Sequence, residues 1–326
     1  MKAITCDKYG TPDVLQLTEV SKPVPKEDEV LVKVAAASIN DWDYGMLIGK
    51  PFLFTRMVSL FKPIHNILGC DIAGVVEAAG GEVNDLNPGD EVYGDISGCG
   101  FGGFAEYVCV RSEVLARKPK NMSFEDAAAI PQAGVLALQG LRNYKQLKKN
   151  DKVLINGAGG GVGTLGVQIA KLYDVEMTGV DSVEKLQKMT SIGFDHVIDY
   201  KKKDYTKNGK QYDLILDNVS HRSFFEYKRS LTSDGQFLLV GGSVPTIFSV
   251  LLLGNLFSRS KDQQTGKKLG LLLHRPNRED LDFLSKLYES GKLRPVIDSI
   301  YPLAETANAF RRYGEGNFKG KVAIAI

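Results

Sequence analysis

Val153-Leu154-Ile155-Asn156-Gly157-Ala158-Gly159-Gly160-Gly161-Val162-Gly163 is an apolar run that ends in a glycine-rich turn. It leads into Thr164-Leu165-Gly166-Val167-Gln168-Ile169-Ala170-Lys171-Leu172, which has helical periodicity. Strand, tight turn and helix start together make a phosphate cradle. Backbone N–H groups at the helix N-terminus face an anion, and glycines let it come close. A literal Gly-x-Gly-x-x-Gly can be placed on Gly161, Gly163 and Gly166, but that register lies inside the helix. The register Ala158-x-Gly160-x-x-Gly163 keeps the motif at the turn. Gly160 is then the residue of close approach and Gly163 the residue of helix–strand packing.

A second apolar strand, Glu176-Met177-Thr178-Gly179-Val180, follows at βαβ spacing and ends at Asp181. An acid at that point is where a ribose hydroxyl pair is held. Turn, spacing and acid together predict a dinucleotide cofactor, which makes the chain a candidate redox enzyme.

The 326 residues suffice for two domains and a large core. A net charge of +2 gives no reason to expect a nucleic-acid partner. Met1-Lys2-Ala3-Ile4-Thr5 carries no signal-peptide apolar core. Cys6, Cys70, Cys99 and Cys109 are widely spaced, without a Cys-x-x-Cys pair, which argues against a disulfide framework or a structural zinc lobe and suits a reducing cytoplasm. The apolar run at 247–257 is too short to span a bilayer. It reads as a surface patch, a lid, a subunit contact or an ordinary buried helix.

The first part of the chain reads as β-rich, with strands at 30–34 and 105–110 punctuated by Asn87-Pro88-Gly89-Asp90 and Gly100-Phe101-Gly102-Gly103. Ser123-Phe124-Glu125-Asp126 marks a helix start with Ser123 as N-cap. From there strands at 153–156, 175–180, 196–198, 213–217 and 236–241 alternate with helices near 163–173, 183–192 and 222–231. Such alternation predicts a parallel sheet with crossover helices. An amphipathic helix over 278–288 is closed by Gly291, and 321–326 reads as a final strand.

Seven pieces now stand in one order: Ala37-Ser38-Ile39-Asn40-Asp41-Trp42-Asp43, Leu68-Gly69-Cys70-Asp71-Ile72-Ala73-Gly74-Val75-Val76-Glu77, Asn87-Pro88-Gly89-Asp90-Glu91-Val92-Tyr93-Gly94, Gly103-Phe104-Ala105-Glu106-Tyr107, the glycine turn, His196-Val197-Ile198-Asp199-Tyr200 and Gly320-Lys321-Val322. In these pieces and their order the chain resembles the medium-chain dehydrogenase/reductase superfamily, in its zinc-independent quinone oxidoreductase-like branch, over nearly its whole length. The resemblance implies an α/β fold in which a Rossmann-type doubly wound parallel sheet domain, 124–266, is inserted into a β-rich GroES-like catalytic domain, 1–123 plus 267–326. It also implies a homodimer.

The superfamily's zinc enzymes hold a catalytic metal with Cys, a Gly-His-Glu motif and a later Cys or Asp. Here the first position holds Asn40, the motif reads Gly69-Cys70-Asp71, and the third falls near Ala133. His65 and Cys70 alone do not make the three protein ligands that a catalytic zinc needs, so no zinc is expected. Without a Lewis acid for an alkoxide, oxidation of simple alcohols is disfavoured. Hydride transfer to a quinone or an α,β-unsaturated carbonyl needs only a hydrogen-bond donor beside a conjugated oxygen. A metal-assisted alcohol dehydrogenase and a non-catalytic nucleotide-binding sensor or scaffold stay open as alternatives, because function resides in the site and not in the fold.

Asn40 matches the family's active-site Asn, whose amide is suited to donate to a substrate carbonyl or to order the nicotinamide ribose; the other reading is a turn residue. Asp43 belongs to the same motif and suits backbone fixation more than titration, and Tyr44 offers a phenol donor. For the cofactor, the resemblance points to Ala158, Gly160, Gly161, Val162 and Gly163 at the pyrophosphate. It points to Tyr200 beside the adenosine and to Asn218, Val240, Gly241 and Gly242 at strand ends near the nicotinamide. Asp181 favours NADH, since it repels a 2′-phosphate. Ser182 and Lys185 favour NADPH, the family's habit, since a hydroxyl and an ammonium can hold that phosphate. The balance tips slightly to NADH. Pro51-Phe52-Leu53-Phe54 and the run 247–257 are candidate walls for an apolar substrate.

Overall fold

The computed structural model describes residues 1–50, 59, 62–142, 146–259 and 266–326, with the side chains of 253–259 left aside. Pro51-Phe52-Leu53-Phe54 lies outside the described residues. The chain divides into two compact units, Met1–Val135 with Pro276–Ile326, and Leu136–Arg275.

Leu136–Arg275 is built on six parallel strands. Numbered one to six along the chain, they are Lys152–Asn156, Glu176–Asp181, His196–Asp199, Tyr212–Asp217, Leu231–Leu239 and Lys268–Leu271, in the spatial order 3-2-1-4-5-6. This is the doubly wound order expected from the alternation of strands and helices. The central strands read as near-continuous apolar runs because helices cover both faces of a parallel sheet. Leu154, Ile215, Phe237 and Leu239 are buried in one cluster, and Tyr227 stacks on Phe237 with ring centroids 4.0 Å apart. The helices follow their local signals. Val183–Ser191 begins after Ser182, and Phe224–Arg229 begins at Ser223, whose hydroxyl accepts from the Glu226 N–H while Glu226 accepts from the Ser223 N–H.

The other unit takes strands from both chain ends. The strand Glu29–Ser38 pairs antiparallel with Asp71–Ala79, with Tyr107–Arg111 and with the C-terminal strand Lys321–Ala325. Ala37, Ile39, Leu68, Phe104, Phe310 and Ile324 fill one side of its core. Helix Arg278–Glu289 joins the same unit through Tyr93, whose phenol donates to the Leu281 carbonyl at 2.8 Å.

The two units divide after Val135 and after Arg275, twelve and nine residues beyond the expected boundaries. Phe124–Ala128, capped by Ser123, packs on the strands Glu29–Ser38 and Asp71–Ala79, so it belongs to the first unit. Lys268–Leu271 pairs in parallel with Leu231–Leu239 and completes the nucleotide-type sheet, so it belongs to the second. The run at 247–257 falls within helix Val244–Arg259. Ile247 and Val250 pack on the sheet, whereas Phe248, Leu251 and Leu252 are exposed, so its described part is not an ordinary buried helix. The four cysteines carry free thiols, and no helix of the described residues is long and apolar enough to cross a membrane.

Candidate active site

The glycine turn sits where the strand order reverses, between Lys152–Asn156 and Tyr212–Asp217. Open parallel sheets bind ligands at this switch point. Gly157 starts the turn at φ +76°, and its N–H bonds the Val180 carbonyl at 3.0 Å. Gly160 is the N-cap of helix Gly161–Ala170. A Cβ on Gly160 would meet only the Gly157 carbonyl oxygen, at 3.5 Å, so the turn is open there. A Cβ on Gly163 would lie 2.3 Å from the Ala158 carbonyl oxygen and 2.4 Å from its Cα. Gly163 is thus the packing glycine of the Ala158-x-Gly160-x-x-Gly163 register. Gly161 and Val162 are half-buried at the helix start, and Ala158 is buried beneath them.

Asp181 faces this turn. Its Oδ2 accepts from the Gly159 N–H at 2.8 Å and its Oδ1 from the Ser182 N–H at 2.8 Å. The Lys185 ammonium lies 3.3 Å from Oδ1, with both side chains nearly buried. Tyr200 donates its backbone N–H to the Asp181 carbonyl at 3.2 Å, and its ring is exposed. At the neighbouring strand end, Asn218 donates its amide to the Asn156 carbonyl at 2.9 Å. Val240 and Gly241 donate backbone N–H groups to Asp217, and Gly242 pairs with Ser220. The Ser182 Oγ and the Asn218 Oδ1 are buried with no hydrogen-bond partner. Orphaned polar atoms beside an open glycine turn fit a nucleotide that would satisfy them. Gly157 and Gly159 are the turn residues that the sequence motif passed over. Gly159 is the more telling, since a Cβ there would strike the Lys185 side chain at 2.5 Å.

The other unit holds a buried polar cluster around Asn40. The Asn40 Nδ2 donates to Asp71 Oδ2 at 2.8 Å and toward Cys70 Sγ at 3.2 Å, while its Oδ1 accepts from the Lys321 ammonium. The amide hydrogens are therefore already engaged inside the fold. In this arrangement Asn40 positions its neighbours and has no hydrogen left for a substrate carbonyl. Asp43 accepts from the Asn40 N–H and the Gly69 N–H, each at 2.9 Å, and so fixes the start of helix Asp41–Ile48. Burial raises its carboxyl to about 7. Tyr44 is not in this cluster. It packs among Phe310 and Tyr313, at 6.4 and 5.7 Å between ring centroids. Asp71 and Lys321 stand in the quoted family pieces but were given no role in the site, and Gln132 was not singled out. Asp71 accepts from the Gln132 backbone N–H at 3.0 Å and pairs with Lys321 at 3.2 Å, with Asp71 and Lys321 both buried.

Two family models match the chain: an alcohol dehydrogenase GroES-like domain over residues 26–120 and a zinc-binding dehydrogenase over residues 192–324. Among similar proteins are a 2-methylene-furan-3-one reductase of Solanum lycopersicum, 33% identical over 99% of this chain and 79% of its own, and a chloroplast envelope quinone oxidoreductase homolog of Arabidopsis thaliana, 30% identical over 99% and 98%. The solved quinone oxidoreductase from Coxiella burnetii superposes with a TM-score of 0.87 at 30% identity, over 100% of this chain and 99% of that one. The chain belongs to the medium-chain dehydrogenase/reductase superfamily, in its quinone-oxidoreductase-like branch.

One of the superfamily's models is named for zinc, so the cluster must be tested against that metal. Among the described residues one group, Cys70, Asp71 and Asp95, brings possible ligand atoms within 4.8 Å of one another. His65 is not part of it; its ring tilts over Phe101, 5.2 Å away. A zinc ion needs free lone pairs on a thiolate and carboxylates. Here the Lys321 ammonium and the Asn40 amide hold Asp71, and burial beside Asp43 and Asp71 pushes the Cys70 thiol well up. These residues do not fit a zinc ion.

Proposed function

We propose that this chain is a metal-independent reductase that uses a reduced nicotinamide dinucleotide, with a preference for NADH, to reduce quinones and α,β-unsaturated carbonyls. The observation that carries the reading is the buried Lys321–Asp71 pair, which lies among the positions that correspond to the metal ligands of the zinc enzymes. Residues arranged in this way offer no Lewis acid to an alkoxide, which makes simple alcohols poor substrates. A conjugated acceptor spreads the incoming charge onto its own oxygen and needs far less help. Similar proteins carry names that fit this chemistry, among them the tomato furanone reductase and an NADPH-dependent alkenal/one oxidoreductase of Arabidopsis thaliana.

When bound, the dihydronicotinamide supplies the hydride. The residues of this chain bind and orient. The N–H groups of Gly160, Gly161 and Val162 would hold the pyrophosphate, with Ala158 and Gly163 allowing the helix its close packing, and Tyr200 would flank the adenosine. Asp181 would accept from the ribose diol, and Ser182 and Asn218 would satisfy their orphaned oxygens on the nucleotide. Val240, Gly241 and Gly242 would bound the nicotinamide end. Asn40 and Asp43 hold the catalytic unit in shape, and solvent delivers the proton that completes the reduction. NADH is favoured because the Lys185 ammonium is already paired with Asp181. A homodimer and a cytoplasmic location complete the proposal. Solution mass and cell fractionation check them, the latter the more needed because similar proteins are named as chloroplastic and mitochondrial.

The test is oxidation of NADH and NADPH, side by side, with one ortho-quinone and one enone, with and without chelator. Chelator-resistant turnover supports the reading. Binding of both cofactors without turnover on either acceptor would leave a nucleotide-binding protein in its place.

A further inference from the structure

Asp217 ends the fourth strand of the parallel sheet, Tyr212–Asp217, and is fully buried. Neutral donors surround its carboxyl. Oδ1 accepts from the Asn156 amide at 2.8 Å and from the Val219 N–H at 3.0 Å, and Oδ2 accepts from the Tyr205 phenol at 3.2 Å. Burial raises this carboxyl above its ordinary range. A buried acid among neutral donors is costly, and an apolar side chain would suit the core of a sheet better. What the acid adds is a clamp between two strand ends. Asn156 ends the first strand, Lys152–Asn156, directly before Gly157 opens the glycine turn at φ +76°. The Asn156 carbonyl in turn accepts from the Asn218 N–H at 3.1 Å and from the Asn218 amide at 2.9 Å. Each strand end thus holds the other. A Cβ on Gly157 would lie 3.2 Å from the Asn218 Cβ and 3.6 Å from both Val219 methyls, so Asn218 and Val219 stand against the turn. Tyr205 backs the clamp from behind. The Arg222 guanidinium lies 5.8 Å from its ring centre and bonds Asp204 at 2.6 Å.

We propose that Asp217 is a positioning residue for the dinucleotide. By holding the Asn156 amide and the Val219 N–H on one carboxyl oxygen, it makes the glycine turn and the Asn218–Val219 segment a single preformed wall of the cofactor site. Asp217 acts through these neighbours and does not itself meet the ligand. Groups that bind a ligand keep their geometry only when the hydrogen bonds behind them are in place. Without the clamp the wall must be ordered as the nucleotide binds, and that cost appears as lost affinity. The inference rests on the cofactor reading given above. Its readout is binding of the dinucleotide and not turnover, so it stands apart from the choice of acceptor.

The probe is NADH alone, titrated calorimetrically into the full chain, with urea unfolding of each variant measured beside it. Asp217→Ala and Asn156→Ala are each expected to raise the Kd about tenfold or more in folded protein. The double variant is expected to bind only about as weakly as the weaker single one, because both substitutions remove the same interaction. Asp217→Asn keeps an oxygen for the Asn156 and Val219 donors and is expected to bring the Kd back to within about threefold of the parent. An acid with a merely structural role would lower the urea midpoint and leave the Kd of the folded protein unchanged. That outcome for Asp217→Ala overturns the proposal, and so do losses that multiply in the double variant. Should Asp217→Ala fail to fold, Asn156→Ala decides, and an unchanged Kd there overturns the proposal. A parent chain that binds neither NADH nor NADPH removes the cofactor reading and this inference together. A parent that binds, with folded variants that bind equally well, removes this inference alone.

Discussion

The Lys185 ammonium lies 3.3 Å from the Asp181 carboxylate, four residues on across the strand-to-helix turn, and the pair is nearly buried beside the glycine turn. The two residues that argue for opposite cofactors are thus bound to each other. The carboxylate is further held by the Gly159 and Ser182 N–H groups, so the acid is fixed and the lysine is committed to it. Asp181→Ser removes a charge that repels a 2′-phosphate and releases the ammonium that can hold one. The ratio of kcat/KM for NADPH over NADH is expected to rise by about tenfold or more, which is about 1.4 kcal/mol. Lys185→Met is expected to move the ratio the other way. An unchanged ratio in both variants, measured with one acceptor, would remove this pair from cofactor choice.

Gly160 and Gly163 separate binding from folding. Gly160→Ala places a methyl in ordinary contact with the Gly157 carbonyl oxygen at a φ of −86°, so the melting temperature is expected to hold. On the proposed reading the same methyl would stand where the pyrophosphate approaches, and the Kd for dinucleotide is expected to rise at least tenfold. Gly163→Ala puts its methyl 2.3 Å from the Ala158 carbonyl oxygen, where backbone must shift. That is expected to cost about 1–3 kcal/mol in denaturant unfolding. Equal stability of the two variants would contradict the assigned register.

Much of the nucleotide-binding unit was legible because its signals are local. An apolar run followed by glycines, then a 3.6-residue period, states strand, turn and helix within twenty residues of one another. Lys268–Leu271 was not legible: a four-residue strand with a charged first residue carries no pattern of its own, and only pairing with Leu231–Leu239 makes it a strand. The polar cluster hid for the same reason. Lys321 at a strand start reads as a surface residue until the fold brings Asp43, Asp71 and Asp95 to it. Asn40 was found by family pattern, but its engagement by Asp71 and Lys321 depends on residues 31 and 281 positions away. The Asp181–Lys185 pair joins a strand end to the first turn of the next helix, so the four-residue spacing alone did not announce it.

Tyr93 ties the C-terminal part of the chain to the first unit. Its buried phenol donates to the Leu281 carbonyl and lies 2.8 Å from the Ser285 hydroxyl, nearly two hundred residues away. Tyr93→Phe keeps the ring and removes these bonds. The expected loss is about 1 kcal/mol in urea unfolding, with Ser285→Ala giving a smaller loss and the double variant less than the sum. Additive losses would show that the two hydroxyls do not share one interaction.

Asp43 makes the stability of the catalytic unit depend on pH. Burial raises its carboxyl to about 7 in the folded chain, against about 4 when unfolded. Between those values the native state holds a proton that the unfolded chain has released. Stability from this group is therefore fully present below about pH 4 and is lost as pH rises through about 7. Asp43→Asn removes that titration while keeping an oxygen for one of the Asn40 and Gly69 N–H groups. The variant is expected to be less stable than the parent at pH 5, with the gap narrowing by pH 8. Urea midpoints at those two pH values decide the matter. A gap that stays constant or widens toward pH 8 would mean that Asp43 is ionised in the native state throughout, held so by the Lys321 ammonium.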